Sequence, residues 1–325
     1  MNNKTFISIL VATKDRPLKL KNCLTSILKN SIRNFELIII DQSTTNTSHK
    51  LIRAINESNI RYYYSKRIGN THALNIALQK AKGDIYVFTD DDCIVPSNWL
   101  RMIIQTYRLH PEASGVSGQT LPFLTHRQSL SMVCPGTYQS KTFRIINNLG
   151  PVVHSPKDGF GKGTNMSFKR EVFQKLGGFK EWLGPGSIAG AGGNETEFIY
   201  RAVKYHFILC FNPKIIVYHD RWITQREDEE LRLSKMRAYI AFISYTVVRY
   251  IDMNLLPGIL KYRLDIIKML KFVKYALRQN KMFIAIHETY RILRVLLNII
   301  IGMFIGTYLA VRDTINLQIF VSSKN

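Results

Sequence analysis

Three nearly uninterrupted apolar runs constrain this chain most: ISILVA at residues 7–12, LIII at 37–40 and IYVF at 85–88. None alternates polar with apolar, as a strand with one wet face would, so each reads as a strand covered on both faces in a parallel sheet. Between the first two, Leu18, Leu20, Cys23, Leu24, Ile27 and Leu28 recur at helical spacing behind Pro17, a residue suited to a first helical turn. Strand, helix and strand within about 40 residues make a βαβ unit with a right-handed crossover. The alternation repeats through LIRAINES, IRYYYS, THALNIALQKA and DIYVFTDDD. The expected fold class is therefore α/β, a Rossmann-like, mostly parallel sheet with helices on both faces. Ligands of such sheets collect beyond the carboxyl ends of the strands, so residues 13–16, 41–44 and 90–92 should line one crevice.

From residue 111 the pattern loosens. A strand is expected in GVSGQTLPF, a helix between the glycines of GFGKGTNMSFKREVFQKLGGF, another helix in GNETEFIYRAVKYHF, and a strand pair around Asn212-Pro213 in ILCFNPKIIVYHD. Beyond Asp220 the composition turns to basic and apolar helices. The expected division is a catalytic domain at 1–220, split into halves 1–110 and 111–220, and a helical region at 221–325. A chain of 325 residues, 46% hydrophobic and without low-complexity tracts, can bury a sizeable core, which excludes disorder. Cys23, Cys93, Cys134 and Cys210 follow no zinc or redox spacing and read as thiols in a reducing compartment. The N-terminal apolar stretch is too short for a signal peptide.

The formal charge is +22, and half of the excess lies between Leu231 and Arg312, where 14 Lys or Arg face three acidic residues. Anionic partners follow: phosphates, nucleic acid or an acidic lipid surface. A nucleic-acid-binding protein would fit the charge, but no aromatic-rich RNA motif or helix-turn-helix accompanies it. A dinucleotide-dependent oxidoreductase would need a G-x-G-x-x-G after the first strand, which is missing.

Asp90, Asp91 and Asp92 stand behind the third apolar run. In extended chain Asp90 and Asp92 would share a side and Asp91 the other. Two carboxylates on one face of a strand end suit a hard divalent cation, Mn²⁺ or Mg²⁺, that also holds phosphate oxygens. An acidic turn with a capping aspartate is the plainer alternative.

In order along the chain, VATKDRP, LIIIDQST, RIGNTHALNIAL and YVFTDDD followed by Pro96, Trp99 and Leu100 resemble the family 2 inverting glycosyltransferases of GT-A fold. GFGKGTNMSFKREVFQKLGGF, GAGGNETEFIYR and NPKIIVYHD extend the resemblance to roughly residues 5–220. It implies a nucleotide-sugar donor, a UDP-sugar above others, held by Thr13, Arg16, Asp41, Arg67, Asn75, Asp90 and Asp91. Asp41 would accept from the uracil imide N–H, Asp90 would lie against the ribose, and Asp92 with His219 would hold the metal. Asp91 would serve mainly the loop.

An inverting transfer needs a general base for the acceptor hydroxyl. The family's Glu-Asp pair at a helix start is Asn194-Glu195 here, so the resemblance implies Glu195 as base, with Glu197 the second choice. Asn194 also keeps an inactive nucleotide-sugar-binding homologue in view. The glycines of GSIAGAGG suit a lid, and Trp182 and Asn165 are expected on the acceptor side, with Trp99 and Trp222 more suited to packing. The acceptor implied is a glycan or lipid-linked molecule of the cell surface.

The tail suits a membrane surface. Lys268, Lys271, Lys274 and Arg278 gather opposite Ile266, Met269, Leu270, Val273 and Leu277 on a helical projection. Residues 296–311 are apolar but short of the roughly 20 needed to span a bilayer. Peripheral or monotopic attachment at the cytoplasmic face is expected, with Gly302 and Gly306 permitting close helix contact.

Overall fold

The computed structural model describes residues 5–124, 132–150, 159–255, 257–279 and 281–322. It opens with β1 (Ile7–Thr13), α1 (Pro17–Leu28), β2 (Phe35–Asp41), α2 (Thr47–Ile55), β3 (Ile60–Tyr64), α3 (Asn70–Lys80) and β4 (Ile85–Phe88). These four strands run parallel in the order β3-β2-β1-β4. Ile7, Ile9 and Val11 of β1 pack into one core with Leu20, Leu24 and Ile27 of α1, while Leu10 packs into a second core with Ala73 and Ala77 of α3. Both faces are covered, which is why β1 lacks alternation.

There follow β5 (Cys93–Ile94), α4 (Trp99–Leu109), β6 (Ala113–Pro122), β7 (Met132–Val133), β8 (Arg144–Ile146), β9 (Met166–Lys169), α5 (Arg170–Leu176), α6 (Asn194–Lys204), β10 (Ile208–His219) and β11 (Ile223–Thr224). Among the described residues nine strands form one sheet, β3-β2-β1-β4-β9-β6-β10-β5, with β8 also on β10. The result is a mixed α/β, mostly parallel GT-A sheet with β9 inserted antiparallel between β4 and β6.

Three expectations change. The helix sought between the glycines is only the short α5, because residues 166–169 follow a period of two. Met166 and Phe168 enter the second core, whereas the Ser167 hydroxyl turns the other way to donate to the Val116 carbonyl at 2.9 Å. The pair sought around Pro213 is one strand. Between Phe211, opposite Ser117, and Ile216, opposite Gln119, β10 carries four residues where β6 carries only Gly118. Pro213 has no N–H to give the ladder, so this bulge absorbs it. The Gln119 amide donates to the Pro213 carbonyl at 2.7 Å. Finally, β4 stops at Phe88, so the aspartate triplet is a turn, closed by the Cys93 N–H on the Asp90 carbonyl at 3.1 Å.

Asn165, expected on the acceptor side, is a brace instead. It ends a single 3₁₀ turn, Gly163–Asn165, and is 1% exposed. Its amide donates to the carbonyls of Gln119 at 2.6 Å and Ile215 at 3.3 Å, and its Oδ1 accepts from the Trp99 indole at 3.0 Å. Every polar atom of the side chain is engaged.

The chain divides into two compact units: residues up to Glu181 with Asn194–Asp228, and Trp182–Gly193 with residues from Glu229 onward. The second contains most of α7 (Gln225–Tyr250), with α8 (Pro257–Arg278) and α9 (Met282–Ser322). Within it the glycine-rich segment is braced rather than free. The Ser234 hydroxyl meets the Ala191 N–H at 2.9 Å, Arg237 Nε donates to the Ala189 carbonyl at 3.1 Å, and a Cβ at Gly190 would collide with the Ser234 carbonyl. Trp182, expected on the acceptor side, is buried with its ring 5.0 Å from Tyr245. The 16-residue apolar run is part of a longer helix. Residues Met282–Asn316 of α9 are long and apolar enough to cross a membrane, and 22% of the most apolar window is buried. Gly302 and Gly306 let α9 approach α7, since a Cβ at either would strike the carbonyl of Arg237 or Ala241.

Asn165→Ala leaves a buried indole N–H and two carbonyls unpaired. It is expected to lower unfolding free energy by about 1–3 kcal/mol in urea titration; unchanged stability would show that the brace is idle.

Candidate active site

The three loops at the carboxyl edge of β1, β2 and β4 are joined by hydrogen bonds. The Asp15 N–H donates to Ser43 Oγ at 2.7 Å, and the Thr44 N–H donates to Asp15 Oδ1 at 2.8 Å. Asp15 takes φ +54°, a conformation that aspartate tolerates better than most residues. The Thr13 hydroxyl donates to Asp91 Oδ2 at 2.7 Å. Arg16 forks across the triplet, Nη2 at 2.5 Å from Asp91 Oδ1 and Nη1 at 2.6 Å from Asp92 Oδ2. Thr13 and Asp91 therefore hold the loop together, with Asp91 fully buried.

His219 ends β10 beside the triplet. Its Nδ1 donates to the Pro135 carbonyl at 2.9 Å, and its Nε2 lies 3.2 Å from Asp92 Oδ1. Burial alone would push the His219 pKa down, but Asp92 and the Cys134 thiol raise it to about 10. Burial likewise opposes ionisation of Asp92, and the imidazolium and Arg16 overcome it, lowering the carboxyl to about 2. Asp90, half-buried, is driven up to about 6 by burial and by Asp92, with Glu195 adding to the push. Burial raises Asp91 to about 7 against the pull of Arg16.

This donor set fits a hard cation. Asp92 Oδ1 is buried without a hydrogen-bond partner, and the bond at Nδ1 fixes the imidazole so that Nε2, once deprotonated, offers its lone pair on the same side. Cys93, which reads from sequence as a plain thiol, lies within 4.8 Å of both groups. Burial and the aspartates push its thiol well above the usual range, and a hard cation prefers the carboxylate oxygen and imidazole beside it.

Asp41, fully buried at the end of β2, accepts from the Ser43 N–H at 2.8 Å and from the Tyr62 hydroxyl at 2.9 Å. Each carboxylate oxygen retains a lone pair for a nucleobase N–H. Arg67 is exposed and paired with Glu181 at 2.7 Å. Glu181 also meets His72 Nδ1 at 3.0 Å. Nothing in its local sequence marks Glu181 as the partner of a loop more than a hundred residues earlier. Asn75, expected at the donor, instead braces the segment before Glu181: its amide donates to the Phe179 carbonyl and its Oδ1 accepts from the Phe179 N–H, both at 2.9 Å.

Of the two base candidates, Glu197 is 1% exposed and locked to Arg201, Oε1 to Nε at 2.7 Å and Oε2 to Nη2 at 2.9 Å. A carboxylate held this way has no free oxygen edge for an acceptor. Glu195 is half-buried and close enough to Asp90 for its charge to be felt there. Asn194, which opens α6, has its Oδ1 buried without a partner. Trp99 and Trp222 are held by their indole N–H groups, on Asn165 and on the Phe123 carbonyl.

Comparison with known proteins bears on the family and the fold. Residues 8–177 match the Glycosyl transferase family 2 profile. A glucosyl-dolichyl phosphate glucuronosyltransferase of Haloferax volcanii is 20% identical over 53% of this chain and 55% of its own length. An uncharacterized glycosyltransferase of Haemophilus influenzae is 32% identical over 30% of this chain and 40% of its own. The chain thus spans about half the length, or less, of these curated relatives. Among solved structures, the mannosyltransferase PcManGT from Pyrobaculum calidifontis, in complex with GDP-Man and Mn²⁺, superposes with TM-score 0.59 at 15% identity, covering 93% of this chain and 87% of that one. Staphylococcus aureus TarS 1–349 with UDP-GlcNAc gives TM-score 0.54 at 14% identity over 73% and 65%. With the profile matched over more than half its residues, the chain belongs to glycosyl transferase family 2.

Proposed function

We propose that this protein transfers a sugar, with inversion and metal assistance, from a UDP-sugar to a hydroxyl of a glycan or lipid-linked acceptor in cell-surface polysaccharide synthesis. The observation that carries the proposal is the buried Asp92 Oδ1 lying 3.2 Å from His219 Nε2 beside Asp90, with Asp41 at the end of β2 and Glu195 close enough for its charge to be felt at Asp90. The names of the relatives support it, because two solved neighbours are complexes with nucleotide-sugars and one of those includes Mn²⁺.

Asp92 and His219 would hold a divalent cation, which when bound would offset the charge that develops on the departing diphosphate. Asp41 receives the base N–H, Asp90 receives the ribose, and Arg67 at the mouth of the β3–α3 loop faces the phosphates. Glu195 takes the proton from the acceptor hydroxyl as its oxygen attacks the anomeric carbon on the side opposite the leaving group. Glu197 and Arg201 hold α6 in place beneath it.

The second unit supports attachment to the cytoplasmic face of a membrane. Ile300 and Phe304 of α9 are 63% and 73% exposed, and Lys268, Lys271, Lys274 and Arg278 of α8 are exposed as well. Leu270 and Leu277 of the apolar face of α8 are also exposed. An anionic bilayer satisfies both kinds of group.

UDP with Mn²⁺ should raise the melting temperature of the wild type and leave Asp92→Ala unmoved; a shift with GDP alone would change the donor, and none with either would sink the reading. In the same titration Mn²⁺ affinity should increase with pH up to about 10, because below that value the cation must displace the His219 proton. Glu195→Gln should keep the UDP shift while sugar transfer falls by on the order of 10²–10⁴-fold; wild-type turnover would remove Glu195 as base. Ile300→Asp with Phe304→Asp should abolish co-sedimentation with vesicles containing phosphatidylglycerol, and retained binding would reject the membrane assignment.

A further inference from the structure

We propose that Gly163 is a positioning residue for transfer: it leaves open the space that fixes the Glu195 carboxylate. This rests on the reading of Glu195 as the base. A Cβ at Gly163 would lie 2.6 Å from Glu195 Oε1, 2.7 Å from Cγ and 3.0 Å from Cδ, closer than carbon tolerates in a packed protein. Among the described residues no hydrogen bond or ion pair confines Glu195. The Gly163 backbone is therefore the surface against which its side chain is set.

Backbone conformation does not require glycine here. Gly163 lies outside the left-handed region that an L-residue avoids, so alanine could adopt its torsions. Nor can the main chain retreat. The next residue, Thr164, shares a hydroxyl contact with Thr120 at 2.8 Å, and the Asn165 N–H closes the turn on the Lys162 carbonyl at 3.0 Å. Asn165 then fastens the turn to β6, β10 and Trp99.

An added methyl group thus meets a fixed backbone on one side and a side chain with three free torsions on the other. The carboxylate yields. Gly163→Ala is expected to fold normally while displacing the carboxylate, the group whose placement sets the rate. The shift lies in orientation rather than binding, because the nearest atoms that the added Cβ would meet all belong to Glu195.

The test is a double-mutant cycle with Glu195→Ala, which removes every Glu195 atom that the added methyl group would meet. Release of nucleoside diphosphate would be followed with Mn²⁺ and UDP-glucose, UDP-GlcNAc or GDP-mannose, using whichever the wild type turns over fastest. Gly163→Ala should lower kcat by on the order of 10²-fold, the cost of roughly 1 Å of misplacement, and leave donor KM and the UDP·Mn²⁺ thermal shift unchanged. On the Glu195→Ala background the same change should leave the residual kcat unaltered, because the Cγ, Cδ and carboxylate that the methyl group would meet are gone. Wild-type kcat for Gly163→Ala, or losses that simply multiply in the double variant, would overturn the proposal. Active Glu195→Gln would instead overturn the base assignment beneath it. Crystal structures of Gly163→Ala need no substrate: a displaced Glu195 carboxylate over an unmoved turn supports the proposal, and a displaced turn under an unmoved Glu195 refutes it.

Discussion

The fork of Arg16 across Asp91 and Asp92 is the contact on which the edge of the sheet depends. Three consecutive carboxylates repel one another, and burial makes each of them harder to ionise. One guanidinium and one imidazole divide the task of opposing this. Arg16 anchors two of the three through a planar pair of donors that a lysine could not reproduce, and His219 takes the remaining oxygen of Asp92. Burial nonetheless keeps both Asp90 and Asp91 above the usual carboxylate range. A strand end would have spread the three side chains to alternate faces; the turn gathers them around two cations of the protein's own.

Much of this was legible because apolar runs buried on both faces announce parallel strands, and parallel strands put their polar ends on one edge. Asp41, Asp90 and Asp92 could be assigned to a common crevice from that argument alone, and the hydrogen bonds between the loops join them there. Roles that depend on side-chain partners were not legible. Asn75, Asn165 and Glu197 are polar residues in motif positions, and only three-dimensional contacts reveal that each is engaged within the protein. Glu181 and Tyr62 went unnoticed, and Cys93 read as a plain thiol, for the opposite reason: their partners or neighbours at the site are set by the fold rather than by any local pattern.

The second unit reads differently. Helical periodicity identified its elements but not what they pack against. Gly302 and Gly306, spaced by four, allow the α9 backbone to lie against the carbonyls of α7, so the most apolar helix is secured along one flank and leaves the other uncovered. The glycine-rich segment carries the same lesson in reverse, since glycines that suggest mobility in sequence are held close to Ser234 and Arg237 in the structure.

The bulge in β10 bears on evolution and engineering of the site. It gives β10 three more residues than its partner between Phe211 and Ile216, an odd surplus, so the strand changes which face its side chains address as it passes through. His219 points toward Asp92 only because of that change in parity. Inserting or deleting one residue among 212–215 would leave the core ladder before the bulge intact yet turn the imidazole to the other side of the sheet. The length of a short, partly exposed kink is therefore as tightly specified as the identity of the histidine it aims.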